Sequence, residues 1–316
     1  MTIRRRERAA TARPWLTRDD LAFAELPLLA LLAFALPERR WRGVCRRLEA
    51  AKARLRIFDP APVARIAAEV LGPTHPGFDA HRFALESAAG RSEHHLQILR
   101  SCGPRPWAPA LVPSGTAHLD DALAAGRGAV LWVAHFCFNA LATKMALAQA
   151  GYQTWHLSRP EHGFSKSRVG IATVNRIRVR AELAHLAGRI VIDREKPMAA
   201  ALAAQRVLRR NGIVSVTAGA WEGQRLAEVA LLGGKLELAV GAPGLARLAA
   251  AALLPVFTVR GPDDALHVVV EPPIAVARDG DADAALGAAA QAFADRLEVY
   301  VRRHPSQWRD WKALKV

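Results

Sequence analysis

The chain has 316 residues, 51% of them hydrophobic, which is ample for a large buried core. Its formal net charge of +15 points to an anionic partner: nucleic acid, an anionic membrane face, or a phosphorylated or carrier-bound substrate. The three cysteines, Cys45, Cys102 and Cys137, form no CxxC pair and have no His-rich companion, which argues against a disulfide framework or structural zinc and for reduced thiols.

Residues 1–60 carry 14 Arg and Lys against 7 Asp and Glu, a net +7 and nearly half of the total charge. Within them, residues 21–36 (LAFAELPLLALLAFAL) are the strongest apolar run. The run carries Glu25 and Pro27 and falls short of the roughly 20 residues a spanning helix needs. Arg-rich sequence flanks it, so an interfacial or shallowly inserted helix fits better than a cleaved signal peptide or a DNA-binding arm. Trp15 and Trp41 are candidate headgroup-level anchors, and a buried core helix is the competing reading.

Residues 61–125 read as helical, with breaks at 72–77 (GPTHPG) and 102–109 (CGPRPWAP). The stretch 114–126 has a Ser/Thr start, early acidic residues and a closing Gly, a helix signature. The pattern then alternates. Strands are expected at 128–136 (GAVLWVAHF), 152–159, 189–193, 213–218, 253–260 and around 267–270. Helices are expected at 140–150, 198–211, 244–252 and 281–303. Strands alternating with helices of 10–15 residues imply an α/β fold with a mixed, largely parallel central sheet flanked by helices. An apolar and basic helical appendage over 1–60 precedes an α/β domain over 61–316.

His135 follows an apolar strand and directly precedes a helix, so it falls at the carboxyl end of a parallel strand, where open α/β sheets bind ligands. A histidine there can act as a general base near neutral pH. Cys137, two residues on in an apolar setting, reads as an inert buried thiol. Gly233 and Gly234, and the Gly241–Gly244 pair, read as turn and helix-entry glycines. No GxGxxG, GxxxxGK[ST] or HExxH sequence is present, so neither a nucleotide loop nor a metal is expected.

The block 126–152 (GRGAVLWVAHFCFNALATKMALAQAGY) resembles the signature of the bacterial lipid A late acyltransferases, members of the lysophospholipid acyltransferase superfamily. Further blocks follow in the family's order: SRPEHG (158–163), VLRRNGIVSVTAGAWEGQR (207–225), VGAPGLARLAAAALLPVFTVR (240–260) and HPSQWRDWK (304–312). The resemblance implies that His135 is the base of a His-x4-Asp/Glu motif. The acidic position falls on Ala140, so the motif's carboxylate is missing. Asn139 could orient the imidazole or cap the helix, and Glu161 or Glu222 could reach in from another strand end. Glu222, Gly223 and Arg225 match the block that holds the acceptor's phosphate or polar head, and Arg159 and Arg189 are further candidates for a phosphate.

The expected function is transfer of an acyl group from an acyl carrier protein or coenzyme A thioester to a hydroxyl or amine. The place is the cytoplasmic membrane face, with anionic lipid as partner and no cofactor or nucleic acid. The alternative is a non-catalytic relative that binds lipid or a protein partner, favoured by the lost carboxylate. A basic nucleic-acid-binding protein is the third reading.

Overall fold

The computed structural model describes residues 3–5, 14–16, 25–159, 163, 165, 167–192, 197–219 and 225–316. Strand β1 (Ile3–Arg5) is followed by four helices, α1 (Leu26–Ala35), α2 (Trp41–Arg54), α3 (Ala61–Leu71) and α4 (Ala80–Ser101). Next come β2 (Leu111–Ser114), α5 (Ala117–Ala124), β3 (Ala129–Val133), α6 (Asn139–Gln149) and β4 (Thr154–Ser158). Helices α7 (Arg168–Ala172) and α8 (Val174–Leu183) lead to β5 (Gly188–Val191), α9 (Pro197–Arg209) and β6 (Ile213–Thr217). The hairpin β7 (Arg225–Leu231) and β8 (Gly234–Ala239) precedes α10 (Gly241–Ala249), β9 (Ala252–Arg260), β10 (Leu266–Val270) and α11 (Ala282–Arg303).

The central sheet has seven strands in the order β2-β10-β9-β3-β6-β4-β5. Strands β9, β3, β6, β4 and β5 run parallel, while β10 runs antiparallel to β9. The expected α/β class with a largely parallel sheet is therefore what the chain adopts. A second sheet, β1-β7-β8, is antiparallel. Its hairpin is not among the strands expected from the sequence, although Gly233 does sit in the turn, at φ 77° beside Leu232 at φ 54°.

Strand β3 lies between β9 and β6, and every residue in it is buried. That position explains its unbroken apolar run, since a central parallel strand is covered on both faces. Trp132 stacks on Phe293 of α11 with ring centroids 4.2 Å apart, and Phe257 of β9 stacks on Tyr300 at 3.9 Å. These contacts clamp α11 to one face. The strand starts from Gly128 at φ +68°, where an added Cβ would lie 2.5 Å from the Gly212 carbonyl oxygen; only glycine fits.

Helix α1 buries Leu29 and Ala33 in a core shared with α2, α4 and α6, and exposes Leu28, Leu31 and Phe34. It is thus buried on one side only. Trp41 is 1% exposed, and its indole N–H donates to the Leu36 carbonyl. That burial overturns its reading as a headgroup anchor, whereas Trp15 is 70% exposed. No described helix is long and apolar enough to cross a membrane.

Candidate active site

His135 lies two residues beyond β3, at the carboxyl edge of the parallel strands. Residues 305–311 return from α11 to the same place. Phe136 and Trp308 form an antiparallel bridge, with the Cys137 N–H donating to the Gln307 carbonyl and the Arg309 N–H to the His135 carbonyl. Trp308 and Trp311 are buried edge to face, and Trp311 packs edge-on against Phe83 of α4. Gln307 fastens the segment to the end of β9, since its amide donates to the Arg260 carbonyl and its oxygen accepts from the Arg260 N–H.

This returning segment delivers Asp310 to the imidazole. His135 Nδ1 lies 2.7 Å from Asp310 Oδ1, and the two side chains are only 15% and 14% exposed. A carboxylate on Nδ1 fixes the tautomer that presents Nε2 as the proton acceptor, and it offsets the imidazolium charge once a proton arrives. The chemistry assigned to the missing motif acid is thus available from a residue 175 positions away.

The other sequence candidates fall as follows. Ala140 is buried in the first turn of α6 and lines a small cavity with Val133, Asn139, Thr143, Leu147 and His156. Asn139 is the first residue of α6; it makes no side-chain cap, and its Oδ1 is buried without a hydrogen-bond partner. Arg189 donates to the Ser158 hydroxyl and the Arg159 carbonyl, tying β5 to the end of β4, and burial lowers its pKa. Arg225 opens β7 and pairs with Asp283 at the start of α11. Glu161, Glu222 and Gly223 lie outside the described residues. All three cysteines are free thiols, and burial raises the pKa of Cys137, as its inert reading requires.

Beside the His135 segment a cleft of about 300 Å³ opens along the same sheet edge. Its floor includes Cys137, Phe138 and Gln307; its walls carry Arg42, Arg46 and Arg303. A buried ion pair backs it: Arg260 donates to both oxygens of Glu93, and the guanidinium lies 4.4 Å from the Phe138 ring centroid. Burial works against the Arg260 charge, and Glu93 more than offsets this, raising its pKa. Glu93→Ala strips that charge of its partner and is expected to cost about 3–5 kcal/mol, read as a lower denaturation midpoint.

The sequence readily suggested the histidine and missed the aspartate. Asp310 lies in the 304–312 block, whose local pattern does not single it out as a partner of His135. The available signal was a carboxylate set between Trp308 and Trp311, since two large aromatics that seek the core carry the residue between them inward.

Fold and site together define an α/β protein with a His–carboxylate pair at the carboxyl edge of its parallel strands. The model of the bacterial lipid A biosynthesis acyltransferase family matches residues 93–311, about two thirds of the chain and a span that includes both His135 and Asp310. The chain belongs to that family. No curated protein matches it significantly.

Proposed function

We propose that the protein transfers an acyl group from a carrier-protein or coenzyme A thioester to a hydroxyl or amine, with His135 as general base and Asp310 as its orienting carboxylate. The observation that carries this reading is the 2.7 Å contact between Asp310 and His135 Nδ1. In a family of acyltransferases, it supplies the group whose loss at position 140 favoured a non-catalytic role. His135 Nε2 takes the proton of the attacking hydroxyl or amine, which then adds to the thioester carbonyl carbon. Collapse of the adduct breaks the C–S bond, and the proton passes from the imidazolium to the departing sulfur. The products are an ester or amide and a free thiol.

The test is release of thiol by the purified full chain from acyl-coenzyme A and acyl-carrier-protein donors, offered with a panel of hydroxyl and amine acceptors. Release above the uncatalysed rate supports the reading. None with any pairing overturns it in favour of the non-catalytic alternative.

Peripheral attachment to a membrane belongs to the same proposal. Leu28, Leu31 and Phe34 project from α1, and exposed Arg39, Arg40, Arg42, Arg46 and Arg47 follow in the connection to α2 and on α2 itself. Apolar side chains beside a basic cluster suit an anionic lipid surface. Leu28→Asp with Leu31→Asp is expected to lower binding to phosphatidylglycerol-containing vesicles by about tenfold or more, given what charges cost at an apolar interface. Unchanged co-sedimentation of the double variant would exclude α1 as the attachment site.

A further inference from the structure

Two of the arginines that the sequence offers to a phosphate are committed elsewhere. Arg189 ties β5 to the end of β4, and Arg225 pairs with Asp283. The cleft beside the His135 segment holds a different set, delivered by three elements far apart in sequence. Arg42 and Arg46 come from α2, Arg260 ends β9, and Arg303 ends α11.

Their charges are not equally free. Arg260 is spent on Glu93, both of whose oxygens it holds, and that pair is buried. Arg46 lies 3.4 Å from Glu86 on the exposed rim. Arg42 and Arg303 are exposed and make no ion pair or hydrogen bond among the described residues. Two carboxylates thus answer two of the four guanidinium groups, and two positive charges line the cleft unanswered. Charges of one sign on the walls of a concavity repel each other and focus their field into it, here into about 300 Å³. Between the walls the lining is apolar at Ala89 and Phe138, where a carbon chain can rest while its charged end meets the arginines. His304 adds a neutral imidazole to the same wall, since burial and then Arg303 lower its pKa.

We propose that this cleft seats a phosphate ester carried by one of the two transfer substrates, with Arg42 and Arg303 holding its oxygens. The planar fork of a guanidinium offers parallel N–H donors to phosphate oxygens, and two arginines match the charge of a phosphomonoester. The inference rests on the acyltransferase reading and adds to it the place where a substrate is anchored. Cys137 and Gln307, which line the cleft, flank the Phe136–Trp308 bridge that joins the two segments carrying His135 and Asp310. A substrate held by its phosphate is therefore kept beside that pair. Two substrates can bring such a group: the pantetheine arm of a thioester donor, and a phosphorylated lipid acceptor.

The test is calorimetric binding to the full chain, without turnover, using two matched pairs of probes. Phosphopantetheine against pantetheine represents the donor, and dihexanoyl phosphatidic acid against dihexanoylglycerol represents the lipid. Wild type is expected to bind the phosphorylated member of at least one pair about tenfold or more tighter, the gain from one or two charge-assisted hydrogen bonds. Arg42→Gln combined with Arg303→Gln should lose that preference, and Arg42→Lys combined with Arg303→Lys should keep part of it. Both positions are exposed, so these variants should fold, which equal denaturation midpoints check. A preference in the pantetheine pair alone assigns the cleft to the donor, and one in the lipid pair alone assigns it to the acceptor. No preference in wild type, or an undiminished one in the Gln variant, overturns the proposal. Turnover separates this result from the transfer reading. Where thiol is released, the Gln variant should raise KM for the phosphate-bearing substrate about tenfold, because the phosphate is held alike in ground and transition states. Thiol release with KM unchanged in that variant leaves the transfer reading standing and rejects the cleft. If wild type releases no thiol but shows the arginine-dependent preference, the transfer reading fails and the cleft stands as a phosphate site.

Discussion

Asp310→Asn should cut kcat by about a thousandfold or more while leaving the denaturation midpoint nearly unchanged. The substitution preserves shape and one acceptor oxygen, so the Trp308 and Trp311 packing that holds the segment is not disturbed. What it removes is charge. An amide next to Nδ1 can stabilise the wrong tautomer and cannot offset the imidazolium, and the same exchange in Ser-His-Asp enzymes costs about 10⁴-fold. The measurement is kcat for thiol release beside a denaturant melt. Equal kcat in the two proteins would show that the contact at His135 Nδ1 is structural.

His135→Ala should be at least as severe, with a loss of about 10³–10⁴-fold, the upper part of what a positioned base contributes, and little remaining above the uncatalysed rate. Combining it with Asp310→Asn should add almost nothing, because a carboxylate that acts through the imidazole has no role once the imidazole is gone. Single and double variants compared under saturating donor test this. An additive double loss would mean that Asp310 serves the reaction by a route other than His135.

How much of this was legible in the sequence follows from the range over which each feature is determined. Strand β3 and helix α6 were readable because burial on both faces gives an unbroken apolar run and Gly128 and Gly151 mark breaks beside them. The hairpin β7–β8 was not: Arg225–Ala239 mixes Glu228, Lys235 and Glu237 into a half-solvated pattern without the unbroken apolar run of a buried strand. Helix α4 falls inside a broad helical stretch, 61–125, whose sequence gives no sign of which face covers the His135 segment. Within the site, His135 was placed by its own neighbours in sequence. Asp310 was not, because its partner is fixed only by the pairing of Phe136 with Trp308. No local pattern around Ala140 could point there.

The segment 305–311 has a consequence for when the molecule becomes competent. His135 and Asp310 stand 175 residues apart, and the chain between them contains most of the central sheet. Closing so long a loop is entropically unfavourable in isolation and is achieved only once β6, β9 and α11 are docked. A nascent or partly refolded chain therefore has its histidine before it has the carboxylate that meets it. Proteolytic clipping after α11 would take Trp308, Trp311 and Leu314 out of the core together with the carboxylate that meets the imidazole. The His135–Asp310 contact is thus an indicator of completed folding, since it forms only when segment 305–311 docks.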